Sequence, residues 1–214
     1  MKILAISDEE SKYIWEHFDR EKFKDIDLII SCGDLKARYL SYLVTMIGAP
    51  LLYVHGNHDL SFITNPPEGC DNIDDTIHVF KGLRILGLGG SYKYNGKSFQ
   101  YTNEEMSKRI KKLKPQLKKS EGFDILVTHA PAFGIGDGED LPHRGFECFT
   151  ELLDKYSPKY FLHGHQHLNY SYKSHRTHYH NNIPIINCFN YQIIEIDDST
   201  INNSKKQKSI LKFL

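Results

Sequence analysis

The sequence predicts a mixed α/β domain. Two observations carry that expectation. Short continuous apolar runs alternate with helix-length amphipathic segments between residues 3 and 54, and further β-like runs crowd the rest of the chain. A strand–helix–strand–helix–strand order implies a parallel sheet joined by right-handed crossovers.

The elements follow in order. Ile3 to Ile6 is a continuous apolar run, as expected of a strand buried on both faces. Residues 11 to 19 read as a helix with Tyr13, Ile14 and Phe18 on one side. Asp27 to Cys32 is a second buried strand, followed by Gly33-Asp34. A helix is expected from Ala37 to Ile47, ended by Gly48-Ala49-Pro50, and Leu51 to Val54 is the third strand. Asn65 to Gly69 is a loop; Ile77–Phe80 and Arg84–Leu88 form a hairpin around Lys81-Gly82. Residues 103 to 119 form a strongly basic helix that Pro115 should break or kink. Its basic face reads as solvated, or as a dock for a phosphate-rich partner. Asp124 to Thr128 is a strand, Phe146 to Tyr156 a helix and Tyr160 to His163 another strand. Pro184–Asn187, Gln192–Ile196 and Ser209–Phe213 are short β-like runs.

The 214 residues suit one domain, taken as residues 1–214, with a sizeable core. Lys+Arg and Asp+Glu both number 27, so no global field favours nucleic acid or an anionic membrane. The four cysteines are widely spaced, which suggests reduced, mostly buried thiols. No apolar stretch approaches the roughly 20 residues of a membrane span. The apolar N-terminus is too short for a signal peptide and reads as the first strand of a cytoplasmic protein.

Chemistry-bearing fragments stand at the ends of the strand-like runs: Asp8, Gly33-Asp34, Gly56-Asn57-His58-Asp59, His129 and Gly164-His165-Gln166-His167. Open α/β proteins place their sites at the carboxyl ends of sheet strands. Mixed oxygen and nitrogen donors suit borderline divalent metals, and a pair of such metals suits phosphoryl chemistry. Asp34 has two carboxylate oxygens with which to bridge two cations. His58 could protonate a leaving oxygen or stabilise charge on it, with Asp59 or another carboxylate orienting its ring.

These fragments resemble the signature of the calcineurin-like metallophosphoesterases: D-x-H after the first strand, then G-D, G-N-H-(D/E), a lone His and G-H-x-H. Here they stand as Ser7-Asp8-Glu9-Glu10, Gly33-Asp34, Gly56-Asn57-His58-Asp59, Thr128-His129-Ala130-Pro131 and Gly164-His165-Gln166-His167. The resemblance implies a four-layer α-β-β-α sandwich with two mixed sheets. It implies two divalent metal ions, Mn or Fe foremost, with Mg, Zn or Ni as further choices. Asp34 would bridge them, Asn57, His129 and His165 would complete one site, Asp8 and His167 would serve the other, and His58 would be catalytic. It further implies hydrolysis of a small phosphomonoester or phosphodiester by a metal-bridging hydroxide, His58 assisting the leaving group. One departure stands out: Glu10 occupies the position of the family's first histidine. Either Glu10 ligates through oxygen, which would favour harder ions, or it faces away and leaves that site open. A catalytically weak scaffold with this fold is the alternative function, and Glu10 is the feature that favours it.

Other residues carry two readings. Lys36 and Arg38 could hold a substrate phosphate or merely start a helix. Arg144 could grip phosphate bidentately or form a structural salt bridge. Asp137, Glu139 and Asp140 could line the site's mouth or be solvated. Tyr92 and Tyr94 could flank a base or aryl group, or pack. His175, His178 and His180 read as a solvated loop without acidic partners nearby.

Overall fold

The computed structural model describes residues 1–170 and 175–197. In chain order the elements begin with β1 (Lys2–Ser7), α1 (Lys12–Glu16), α2 (Arg20–Phe23), β2 (Leu28–Ser31), α3 (Ala37–Ile47) and β3 (Leu51–Tyr53). Next come β4 (Cys70–Asn72), β5 (Thr76–Phe80), β6 (Leu83–Leu88), β7 (Ser91–Tyr92), β8 (Gln100–Tyr101), α4 (Asn103–Lys112) and α5 (Lys114–Ser120). The last are β9 (Ile125–Thr128), α6 (Glu147–Tyr156), β10 (Tyr160–His163), β11 (Thr177–His180), β12 (Ile183–Asn187) and β13 (Asn190–Glu195). The expected strand over Ser209–Phe213 lies outside the described residues.

Two mixed sheets face one another. One runs β13-β1-β2-β3-β4, the other β11-β12-β10-β9-β6-β5. In the first, β1 to β4 are parallel and β13 is antiparallel. In the second, β6, β9, β10 and β12 are parallel and the edges β5 and β11 are antiparallel.

Strand alternation explains the layers. Ile3 and Ala5 of β1 point into the core between the sheets, where they meet Ile85, Ile125, Val127 and Leu162 of the opposite sheet. Leu4 and Ile6, one residue out of phase, point the other way and pack with Ile14, Phe23, Leu40 and Leu43 of the first helical layer. On the far side, Leu86 and Leu126 pack against Met106, Leu117, Phe149 and Leu153 of α4–α6. Each strand that is apolar throughout is thus buried twice, and each fully buried Leu or Ile contributes roughly 1.5–3 kcal/mol. The architecture is the expected α-β-β-α sandwich.

Several local expectations need correction. The helix over 11–19 is split, because the Asp19 carboxylate accepts from Glu21 N and caps a separate helix. The basic helix breaks as expected, at Leu113, ahead of Pro115, which sits in the first turn of α5 where a missing N–H costs nothing. His178 and His180 belong to edge strand β11 rather than to a loop. His180 also has an acidic partner, Asp154, at 2.6 Å. The Lys81-Gly82 hairpin forms as expected, with both residues at positive φ (45° and 89°). All four cysteines are free, and all but Cys70 are buried.

Candidate metal centre

Five parallel strands deliver their following residues to one end of the sandwich. Asp8 follows β1, Asp34 follows β2, Asn57 and His58 follow β3, His129 follows β9 and His165 follows β10. Asp8, Asp34, Asn57, His58, His165 and His167 line one cavity of about 430 Å³, with Tyr94, Pro142 and His143 completing its wall. Buried His129 stands beneath them. One ligating atom from each of Asp34, His129 and His165 lies within 4.8 Å of the others.

The loops are locked by hydrogen bonds rather than by bulk. Asp59 Oδ2 accepts from Gly56 N at 2.7 Å and Asp34 N at 2.8 Å, which ties the second and third loops together. Asp34 Oδ1 accepts from His58 N at 2.8 Å. Asp8 Oδ2 accepts from His165 N at 2.9 Å, joining the first sheet to the second. A Cβ on Gly56 would run into Asp34 Oδ1, so only glycine fits there. Asp8, Asp34 and His165 all hold positive φ (63°, 58° and 67°), a conformation that costs energy for residues with a Cβ and tends to cluster at functional sites.

Neighbours also fix the ring nitrogens. His129 Nδ1 donates to Cys32 O at 2.8 Å, which turns Nε2 toward Asn57 Oδ1 at 3.1 Å and Asp34 Oδ2 at 3.3 Å. His165 Nε2 donates to Pro142 O at 2.7 Å and leaves Nδ1 as the second nitrogen. Carbonyl acceptors behind imidazoles are the usual support for metal-ligating histidines. Asn57 Nδ2 donates to Tyr94 Oη at 3.4 Å, so the amide oxygen faces the cluster.

The electrostatics describe a place for a cation. Burial pulls His129 toward neutrality, but the Asp34 charge and hydrogen bond prevail and lift it to about 10. Asp34 is opposed by burial yet held down at about 2 by His129. Burial and the His129 charge push His165 down to about 3, a neutral base at ordinary pH. Burial raises Asp8, whose Oδ1 is buried with no hydrogen bond. Its side chain is 1% exposed, with His167 Nε2 3.9 Å away. A buried carboxylate oxygen without a donor beside a cluster of imidazole and carboxylate atoms fits divalent cations.

The remaining expected residues fall in different places. Glu10 does not line the cavity; its Oε1 lies buried without a hydrogen bond, 3.8 Å from Lys36 Nζ. Arg38 lies over the Trp15 ring. Arg144 bonds Glu147 at 3.1 Å and lies over the Phe133 and Tyr92 rings. Asp137 caps the backbone of Gly134 and Gly145. Asp59, one of the carboxylates that could orient the His58 ring, gives its Oδ2 to backbone amides; burial, then the Asp34 charge, raises its carboxyl to about 6. His143 and Pro142 carried no site assignment in the sequence, since no spacing marks them; the loop's return to the Gly164 turn brings them in.

Comparisons with known proteins bear on the family and the fold. Residues 1–169 match the family described as calcineurin-like phosphoesterase. One crystal structure is similar at a TM-score of 0.60 and 15% identity, covering 90% of this chain and 94% of that one. TT1561 of Thermus thermophilus is similar at a TM-score of 0.56 and 16% identity, covering 88% of each chain. At such identities the likeness shows the fold alone. A 71-residue stretch is 34% identical to phosphoglucosamine mutase of Methanococcus aeolicus, covering 32% of this chain and 16% of that protein. So short a match carries no activity across.

Proposed function

The chain belongs to the calcineurin-like phosphoesterases, and on that premise we propose that it hydrolyses a small phosphomonoester or phosphodiester with the help of two divalent cations. The observation that carries this reading is the approach of Asp34, His129 and His165 ligand atoms to within 4.8 Å beside the buried Asp8 carboxylate. Asp34, Asn57, His129 and His165 would hold one cation; Asp8 and His167 would hold the other, with Asp34 shared. Mn or Fe suits this donor set best, and Mg, Zn or Ni are further choices. Such cations neutralise phosphate charge and lower the pKa of water toward neutrality.

The protein's own groups do the rest. His58 is exposed at the cavity, and its backbone N–H holds Asp34 Oδ1. From there its ring protonates the departing alcohol oxygen. Asp59 acts at one remove, by holding the Asp34 and Gly56 amides. Glu10 stays with Lys36, outside the cation site. Among the described residues no helix is long and apolar enough to cross a membrane, and the balanced charge disfavours long nucleic acid. A small phosphoester is the substrate these features suit.

The test is hydrolysis of an aryl phosphate and an aryl phosphodiester with added Mn, by wild type and His58→Ala. Wild-type turnover that falls at least about 100-fold in His58→Ala supports the reading. Equal, negligible rates for both proteins under every metal would favour a scaffold that keeps the fold without the chemistry.

A further inference from the structure

His143 lies in the loop between His129 and α6, and it shares the cavity wall with Asp8, Asp34, His58 and His167. Its ring stands 5.2 Å from that of His165. Both carboxylate oxygens of Asp140 lie against its Nδ1, at 2.9 and 2.8 Å. A carboxylate accepts only, so Nδ1 donates to it, and Nε2 is the ring nitrogen left for the cavity, a second donor in the imidazolium. The side chain is 35% exposed, open enough to meet a ligand.

The loop is rigid where it matters. His143 O accepts from Gly138 N at 2.9 Å and from Gln166 Nε2 at 2.7 Å. Pro142 O accepts from His165 Nε2 at 2.7 Å. Asp137 holds both Gly134 N and Gly145 N at 3.0 Å. The imidazole is therefore oriented twice, by Asp140 at the ring and by the Gly164–His167 turn at the backbone. Oriented groups at a site lose little freedom on binding and contribute accordingly more.

We propose that His143 is a further substrate-contacting residue, its imidazolium donating from Nε2 to a free phosphate oxygen, and that Asp140 is its positioning partner. The inference rests on the phosphoesterase reading and names the phosphate contact within that same cavity. It gives to His143 the role that the sequence suggested for neighbouring Arg144, whose guanidinium is turned onto Glu147, Phe133 and Tyr92.

The experiment compares wild type, His143→Ala, Asp140→Ala and Asp140→Asn, each loaded with Mn. Three quantities are measured: kcat/KM for an aryl phosphodiester, affinity for inorganic phosphate by calorimetry, and bound metal. A charge-assisted hydrogen bond lost in His143→Ala lowers kcat/KM and phosphate affinity roughly 10- to 100-fold. Two metal equivalents should remain. Asp140→Ala should show much of the same loss, and Asp140→Asn, which keeps an acceptor for Nδ1, should recover most of it. Unchanged phosphate affinity in His143→Ala would overturn the proposal; so would loss of a metal equivalent, which would make His143 a ligand instead. An inactive wild type would sink the phosphoesterase reading alone, since phosphate affinity still decides the role of His143.

Discussion

Loading the metal-stripped protein with Mn should release at least one proton near neutral pH. One proton comes from His129. Without metal its imidazolium lies between carboxylates, with Nε2 3.3 Å from Asp34 Oδ2, and holds its proton up to about 10. A metal ligand must be the neutral ring. Asp34, at about 2, and His165, at about 3, already have their ligating forms, so they release nothing. Asp8, raised by burial, adds to the release any proton that it holds. At 1.36 kcal/mol per pKa unit, deprotonating His129 at about pH 7 costs about 4 kcal/mol of metal-binding energy. The sign follows: affinity strengthens about tenfold for each unit of rising pH, until the pH reaches the His129 value. Calorimetry in buffers of different ionisation enthalpy counts the protons directly, with His129→Asn as the control that should release one fewer. No proton released by wild type, together with an affinity flat across neutral pH, would refute this reasoning.

Other outcomes follow from the same geometry. Gly56→Ala forces a methyl against Asp34 and should lose about 1–3 kcal/mol of stability in denaturant melts along with most metal binding. Glu10→Ala should keep two metal equivalents by elemental counting, because Lys36 rather than the cavity faces Glu10. Tyr94→Phe removes the hydroxyl that orients the Asn57 amide and should weaken one metal roughly 10-fold in a competitive chelator titration. Asp34→Asn should abolish hydrolysis of an aryl phosphodiester.

The strands that carry the ligands were legible because each is apolar throughout. Burial between the opposite sheet and a helical layer requires that pattern, as β1 shows with Ile3 and Ala5 on one face and Leu4 and Ile6 on the other. Helix α3 was legible down to its end, because Gly48 takes a left-handed φ of 74° just past Ile47. The edge strands β4 and β11 were not. Cys70–Asn72 and Thr177–His180 are held by backbone bonds to β3 and β12, and their partly exposed side chains carry no apolar pattern. Within the site, single residues behind strands announced themselves, whereas the contacts that depend on a loop's return did not. Asp59's grip on two amides, Tyr94's grip on Asn57 and His143's place beside His165 all join residues distant in sequence or orientation. Glu10 carries two readings in the motif, as a ligand or facing away, and only the fold reveals Lys36 3.8 Å from it.

Titrating metal-stripped wild type with Mn while following hydrolysis of an aryl phosphodiester is the most direct test of a two-metal phosphoesterase. Activity should be absent at the start, rise with added metal and saturate at two equivalents per chain. Hydrolysis that persists without metal, or a plateau at one equivalent, would contradict it.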